Sequence, residues 1–313
     1  MKKILTAIIA ITFIGSAATA AELKMNHIPA DSKWVFHWNS DRFSETEYWE
    51  MGKGDIPADK MEEIEWLSDF LGYDVLEQTH GVTLYGPDSK KQNAVLMVYG
   101  EFDKPHVISQ LEENEEYELE LYRSERIHQW RDQKDNRLKS GIFASPKQVV
   151  VSENRKALKK FIDMKAKDRE SLKTAGSSSL GSLLEAANDD AFMIIGITEI
   201  SNLDKFGKKN AIFNNSSMLA VVSGEKEGKT YIDLDLTTKD KKSAKQVEKM
   251  ISGIKAFLML KSKNNTDALS ILEKTTLTRD KNQLFMSIEI PSEKVYKAIK
   301  RHAEKEKAED SDK

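Results

Sequence analysis

The chain has 313 residues, no cysteine, and 51 acidic against 48 basic side chains, for a net charge of −3. The slight acidic excess argues against a nucleic-acid binder, and the missing thiols rule out disulfides, thiolate zinc sites and cysteine nucleophiles. A chain of this length can bury a sizeable core and holds one large or two ordinary domains.

At the start, Lys2 and Lys3 precede an apolar run from Ile4 to Ile14, and Ala18-Thr19-Ala20 follows it. A charged start, a short apolar core and a small-residue ending predict a secretory signal peptide over residues 1–20, cut after Ala20. That core is shorter than the roughly 18 to 20 residues of a membrane span. The longest later apolar region, Met250 to Leu260, is broken by Ser252, Gly253 and Lys255. The mature chain is therefore expected to be periplasmic or secreted, with no integral membrane span after signal cleavage. Its fold must rest on packing without covalent cross-links.

Further along, a sequence of elements occurs twice, as pattern more than identity. Ile28-Pro29-Ala30-Asp31-Ser32-Lys33 leads into a strand from Trp34 to Trp38, and Ala187-Asn188-Asp189-Asp190 leads into another from Ala191 to Ile197. Both are turn signals followed by strands. A hairpin follows each: Gly81 to Tyr85 with Ala94 to Phe102, then Met218 to Ser223 with Thr230 to Thr237. Helices come next, from Lys104 to Glu113 and from Lys241 to Lys261. Each unit closes with two strands and a helix: Leu138 to Ala144, Gln148 to Ser152 and Asn154 to Lys167, against Thr275 to Thr278, Leu284 to Ile290 and Ser292 to Glu304.

These patterns predict an α+β fold of two similar halves, each a mainly antiparallel sheet covered by helices. The first repeat is placed at 21–175 and the second at 176–305, with a hinge at Gly176-Ser177-Ser178-Ser179 and a charged tail at 306–313. Tyr231-Ile232-Asp233-Leu234-Asp235-Leu236 alternates strictly, so one side of that strand is expected in the core and the other in water. The helix from Lys241 carries Ala244, Val247, Met250, Ile251, Ile254, Phe257 and Leu258 at steps of three and four, a stripe suited to covering the sheet.

Motifs that would carry chemistry fail on context. Gly224-Glu225-Lys226-Glu227-Gly228-Lys229-Thr230 resembles a phosphate loop but is one residue short between its glycines and joins two strands. Ser252-Gly253-Ile254-Lys255 has the spacing of an acyl-enzyme motif without its partner motifs, and Ile254 is expected to face the core. Six histidines are scattered with no ligand pair, so no metal site and no cofactor are expected. The Glu112 to Glu120 stretch lacks the glycine and spaced oxygens of a calcium loop and reads as a solvated helix end and strand face.

The aromatic residues are more informative. Trp34, Phe36 and Trp38 share one side of a strand, and Phe43, Tyr48, Trp49 and Trp66 follow closely. That face fits core packing or a stacking surface, with Tyr48 and Trp49 the better candidates for a surface contact and His37 singled out by its place next to Trp38. Candidate binding residues are thus Tyr48, Trp49, Trp34, Trp38 and His37.

Ile28-Pro29-Ala30-Asp31 before an aromatic strand, Gly81-Val82-Thr83-Leu84-Tyr85-Gly86 followed by Val95 to Asp103, and Val149-Val150-Val151-Ser152 before a helix together resemble a loose group of uncharacterised exported bacterial α+β proteins. The resemblance implies a secreted α+β protein and transfers no catalytic residue. The expected function is a non-enzymatic envelope protein that binds or scaffolds another protein or a cell-surface component. Two alternatives stand beside it: a hydrolase of envelope polymers, with a site assembled from His37, Asp41, Glu45 or His128, and an apolar ligand carrier.

Overall fold

The computed structural model describes residues 21–132, 136–175, 180–185, 190–200, 211–263 and 265–311, with side chains described as far as residue 301. The expected leader, the Gly176 to Ser179 hinge, the turn residues Ala187 to Asp189 and the last two residues of the expected tail lie outside them.

Twelve strands form one antiparallel sheet. In chain order they are β1 (Trp34–Asn39), β2 (Thr79–Gly86), β3 (Val95–Gly100), β4 (Glu118–Tyr122), β5 (Glu125–Arg131), β6 (Leu138–Ser145), β7 (Gln148–Ser152), β8 (Ala191–Thr198), β9 (Ser216–Lys226), β10 (Lys229–Thr238), β11 (Thr276–Asp280) and β12 (Gln283–Pro291). Across the sheet they run β11-β12-β10-β9-β8-β1-β2-β3-β7-β6-β5-β4. The helices are α1 (Ser40–Ser44), α2 (Glu47–Gly52), α3 (Ala58–Leu71), α4 (Val75–Gln78), α5 (Lys104–Glu112), α6 (Arg155–Lys165), α7 (Leu180–Leu184), α8 (Ala211–Asn214), α9 (Lys241–Lys261), α10 (Thr266–Lys274) and α11 (Ser292–Ser311). Their starts follow the capping rule: Asn154 accepts from the Lys156 amide at 2.9 Å, and Asp240 accepts from the Ser243 amide at 2.7 Å.

The fold is α+β with a large antiparallel sheet, as the patterns predict. The patterns left open whether the strands form one continuous sheet, and they do. Val35 lies opposite Gly196 and His37 opposite Ile194, so β1 and β8 pair and the sheet runs unbroken. The physical reason lies in burial: β1 is buried on both sides, through Val35 and His37 on one and Trp38 on the other, and β8 is apolar from Ala191 to Ile197. Neither can serve as a solvated edge, and each serves as the other's neighbour.

Cross-strand partners share a side of the sheet, so rows of side chains can be followed across it. One row reads Val95, Tyr85, Val35, Gly196, Ala220, Asp235, Phe285, Thr278. The next reads Met97, Thr83, His37, Ile194, Val222, Asp233, Ser287, Thr276. Over the first part of these rows lies α6, whose Leu158, Phe161 and Ile162 join Val35, Tyr85, Met97, Ile142 and Val150 in the main core. Then α7 takes over. It sits so close to the sheet that a Cβ on Gly196 would come within 2.7 Å of a Leu180 methyl and 2.8 Å of a Leu184 methyl, so a larger residue there would push these leucines aside.

On the opposite side, Ile64, Tyr73 and Val75 of the α3–α4 region pack on Val82 and Val98, and α9 covers Leu234, Leu236 and Leu284 with Val247, Met250 and Ile251. The apolar stripe of α9 was expected to dock along its length. It docks only as far as Ile251: Ile254 and Phe257 are 51% and 55% exposed, and Leu258 is exposed with them.

Candidate functional site

Two places gather ionisable groups in unusual surroundings. The first is at the end of β1, where the chain turns directly into α1. Asn39 caps that helix by accepting from the Arg42 amide at 3.0 Å, which sets Asp41 beneath it, 2% exposed. Across from it, His80 occupies a register shift between Thr79 and Gly81, the kind of bulge that re-aims a side chain. Its Nδ1 lies 3.1 Å from Asp41 Oδ1 and its Nε2 lies 3.3 Å from Glu101 Oε1; Glu101 in turn pairs with Lys147. Acceptors at both ring nitrogens favour the imidazolium. The Asp41 hydrogen bond, more than any other contact, raises the His80 pKa, while burial opposes it.

His37 is the reverse case. Its Nδ1 lies 2.9 Å from Thr83 Oγ1 and its Nε2 has no hydrogen-bond partner among the described residues. Burial pushes its pKa down to about 4, opposed more weakly by the Ala21 backbone, so it is neutral at pH 7. The four groups considered for hydrolysis take separate partners. His37 meets Thr83, Asp41 meets His80, Glu45 meets Arg42 at 3.1 Å, and His128 meets Tyr117 at 2.8 Å. No local spacing could have announced the Asp41–His80 pair, which is 39 residues apart in sequence.

The aromatic candidates build internal packing. Trp38 is 6% exposed, with Phe43 and Phe192 at centroid distances of 4.7 and 5.3 Å. Half-buried Trp34 donates its indole N–H to the Asp88 carbonyl at 2.7 Å. Tyr48 and Trp49, also half-buried, pack on Phe43 at 5.5 and 5.8 Å, and Tyr48 meets Tyr296 of α11 at 6.2 Å. The apparent phosphate loop is the β9–β10 hairpin turn, with Glu227 and Gly228 at φ of 52° and 69°, the two positive angles of a type I′ turn. Its Glu225 accepts from the Glu47 amide at 2.7 Å and so caps α2.

The second place is where α6 and α7 no longer cover the sheet. A cleft of about 240 Å³ opens on β10, β12 and β11, lined by Asp233, Asp235, Phe285, Ser287, Thr276 and Thr278 among others. An adjoining cleft of about 260 Å³ shares Asp233 and Ser287 and is bordered by Lys226, Lys229 and Glu289. Asp235 Oδ1 is shut off from solvent without a hydrogen-bond partner among the described residues, and burial raises this carboxyl's pKa. Among the described residues no cluster of three His, Cys, Asp or Glu is arranged to hold a metal, and no helix is long and apolar enough to cross a membrane.

No family model matches the chain, and no curated protein matches its sequence. Solved structures do resemble it. Crystal form III of a protein designated TP0453 superposes with a TM-score of 0.51 at 9% identity, covering 89% of this chain and 98% of that one. Crystal form IV of the same protein gives 0.49 at 9% identity, covering 88% and 95%. At this identity the likeness of crystal form III is one of fold alone, extending over nearly the whole of both chains.

Proposed function

We propose that this is an exported, non-enzymatic protein of the bacterial envelope, built from two similar α+β repeats, which binds or scaffolds a partner on the open side of its sheet. The observation that carries the reading is the uncovered stretch of β10, β12 and β11, where the row that is core at Val35 and Tyr85 ends in a cleft at Asp235 and Phe285. Large partly apolar faces left open beside a packed core mark binding surfaces more often than idle ones. Support for duplication comes from strand order. Counting outward from the β1–β8 pair, β1 matches β8, β2 matches β9, β3 matches β10, β7 matches β12 and β6 matches β11, with the β4–β5 hairpin added at one margin. Support for export comes from the charged, apolar and small-residue order of residues 1–20 and from Ala21, the first residue after the expected cut, which is 8% exposed and packed at Gly81.

Fractionation with N-terminal sequencing tests export: native material should begin at Ala21 in the envelope, and a cytosolic protein beginning at Met1 would overturn it. Cross-linking capture from envelope extract, comparing the mature chain with Phe285→Arg, tests binding. Specific material should be recovered by the first and lost with the second, whereas equal recovery would count against this face.

A further inference from the structure

The open cleft has a chemistry of its own. Asp233 and Asp235 stand two residues apart on β10 and therefore point to the same side, roughly 7 Å apart along the strand. The side chains that share the cleft with them are hydroxyls and apolar groups: Ser287 lies opposite Asp233, Phe285 opposite Asp235, and Thr276 and Thr278 come next on β11. Among the described residues no lysine, arginine or histidine lines it; the two lysines of the adjoining cleft border its far part, and Lys229 there lies 3.7 Å from Glu289. Elsewhere the chain supplies a counter-charge to acids sunk in its surface, as His80 does for Asp41. Asp235, like Asp41, has one carboxylate oxygen sealed from solvent with no donor, but among the described residues no cation pairs with it. A buried carboxylate without a partner is costly, and the remedy is a cation or a proton.

We infer that this cleft binds a small protonated amine carrying a short apolar body, with the ammonium held between Asp233 and Asp235 and the body laid against Phe285. The volume suits a ligand at the lower end of the usual pocket size. Phe285, 40% exposed on an otherwise ordered strand, supplies the apolar wall and an aromatic face that a neighbouring cation also favours. The hydroxyls of Ser287, Thr276 and Thr278 offer acceptors for the remaining ammonium protons. Burial that raises the Asp235 pKa is relieved when the ligand's charge arrives. This assignment rests on the open-face reading above and names the class of ligand that face takes.

The test is titration of the isotope-labelled mature chain, Ala21 to Lys313, with phenethylamine and with 2-phenylethanol, its near-isosteric neutral counterpart, followed by backbone amide NMR. Phenethylamine is expected to shift amides of β10, β12 and β11, and the alcohol to bind about tenfold more weakly, the size of one charge-assisted hydrogen bond. Asp235→Asn should bring the amine down to the level of the alcohol. Ser287→Lys places a tethered ammonium beside Asp233 and should block the amine; it carries the test if the first variant fails to fold. Equal binding of amine and alcohol on these strands, or amine binding indifferent to both variants, would overturn the cation assignment while leaving the open face as a binding surface. Shifts confined to other regions would overturn both.

Discussion

The two ends of one side-chain row differ in what covers them. Val95, Tyr85 and Val35 are 1%, 2% and 0% exposed beneath α6, while Phe285, in the same row, is 40% exposed. The acids differ in the same way. Asp41, near the covered end, heads an alternating chain of charges through His80, Glu101 and Lys147, whereas Asp235 has no ion-pair partner among the described residues and keeps one oxygen sealed from solvent. A buried charge with its counter-charge built in is a structural joint, because removing either member strands the other. One without a counter-charge contributes nothing to the joint and is free to be used on a ligand. The contrast separates the residues that hold the molecule together from those available for work.

The comparison is tested most severely where burial is deepest. Phe43→Ala, which empties the contact among Trp38, Phe192, Tyr48 and Trp49, should cost about 3–5 kcal/mol in urea unfolding; a loss below about 1 kcal/mol would mean that this aromatic group is not a core. Next, His80→Ala strands Asp41 and should cost about 3 kcal/mol at pH 6. Because the folded pKa of His80 is raised above 6.5, its contribution is fully present below 6.5 and is lost as pH rises through the folded value. The gap between wild type and variant should therefore narrow as pH rises above 6.5. His37 works in the opposite direction: its lowered pKa removes stability as pH falls from 6.5 toward about 4, in both proteins alike, so it cancels from the difference. A gap that stays constant would show that His80 is not charged in the joint. Least affected is Asp235→Asn, expected to be neutral or stabilising by up to about 1 kcal/mol at pH 7, since it removes a poorly solvated charge. Marked destabilisation would place Asp235 among the structural joints.

Period and punctuation made most of the sheet legible. β1, β2, β3 and β6 to β12 all lie within a few residues of their expected positions, because each alternates or is apolar throughout and is bounded by turn residues. Of the β4–β5 hairpin only the strand face at the end of the Glu112 to Glu120 stretch was legible, and β5 was not assigned; Glu120 is not freely solvated but tied to Lys159 at 2.5 Å and to Arg155 at 3.1 Å on α6. The helix α3 went unassigned because its apolar residues, such as Trp66 at 52% exposure, do not all face inward. Asp233 and Asp235 were legible as the wet side of an alternating strand, but the cleft was not. It exists only when Phe285 and Ser287 arrive from about fifty residues downstream. His80 was passed over for a similar reason, since its partners come from α1 and from the end of β3.

Glu225 reaching the amide of Glu47, and Asp55 held by Tyr296 and Lys300 of α11, join stretches separated by 178, 241 and 245 residues. Contacts of such reach close large loops and tend to slow folding. The two closures at Asp55 wait for the last helix, so a chain still being synthesised cannot make them and holds that region of α2 and its neighbours together only once synthesis is complete.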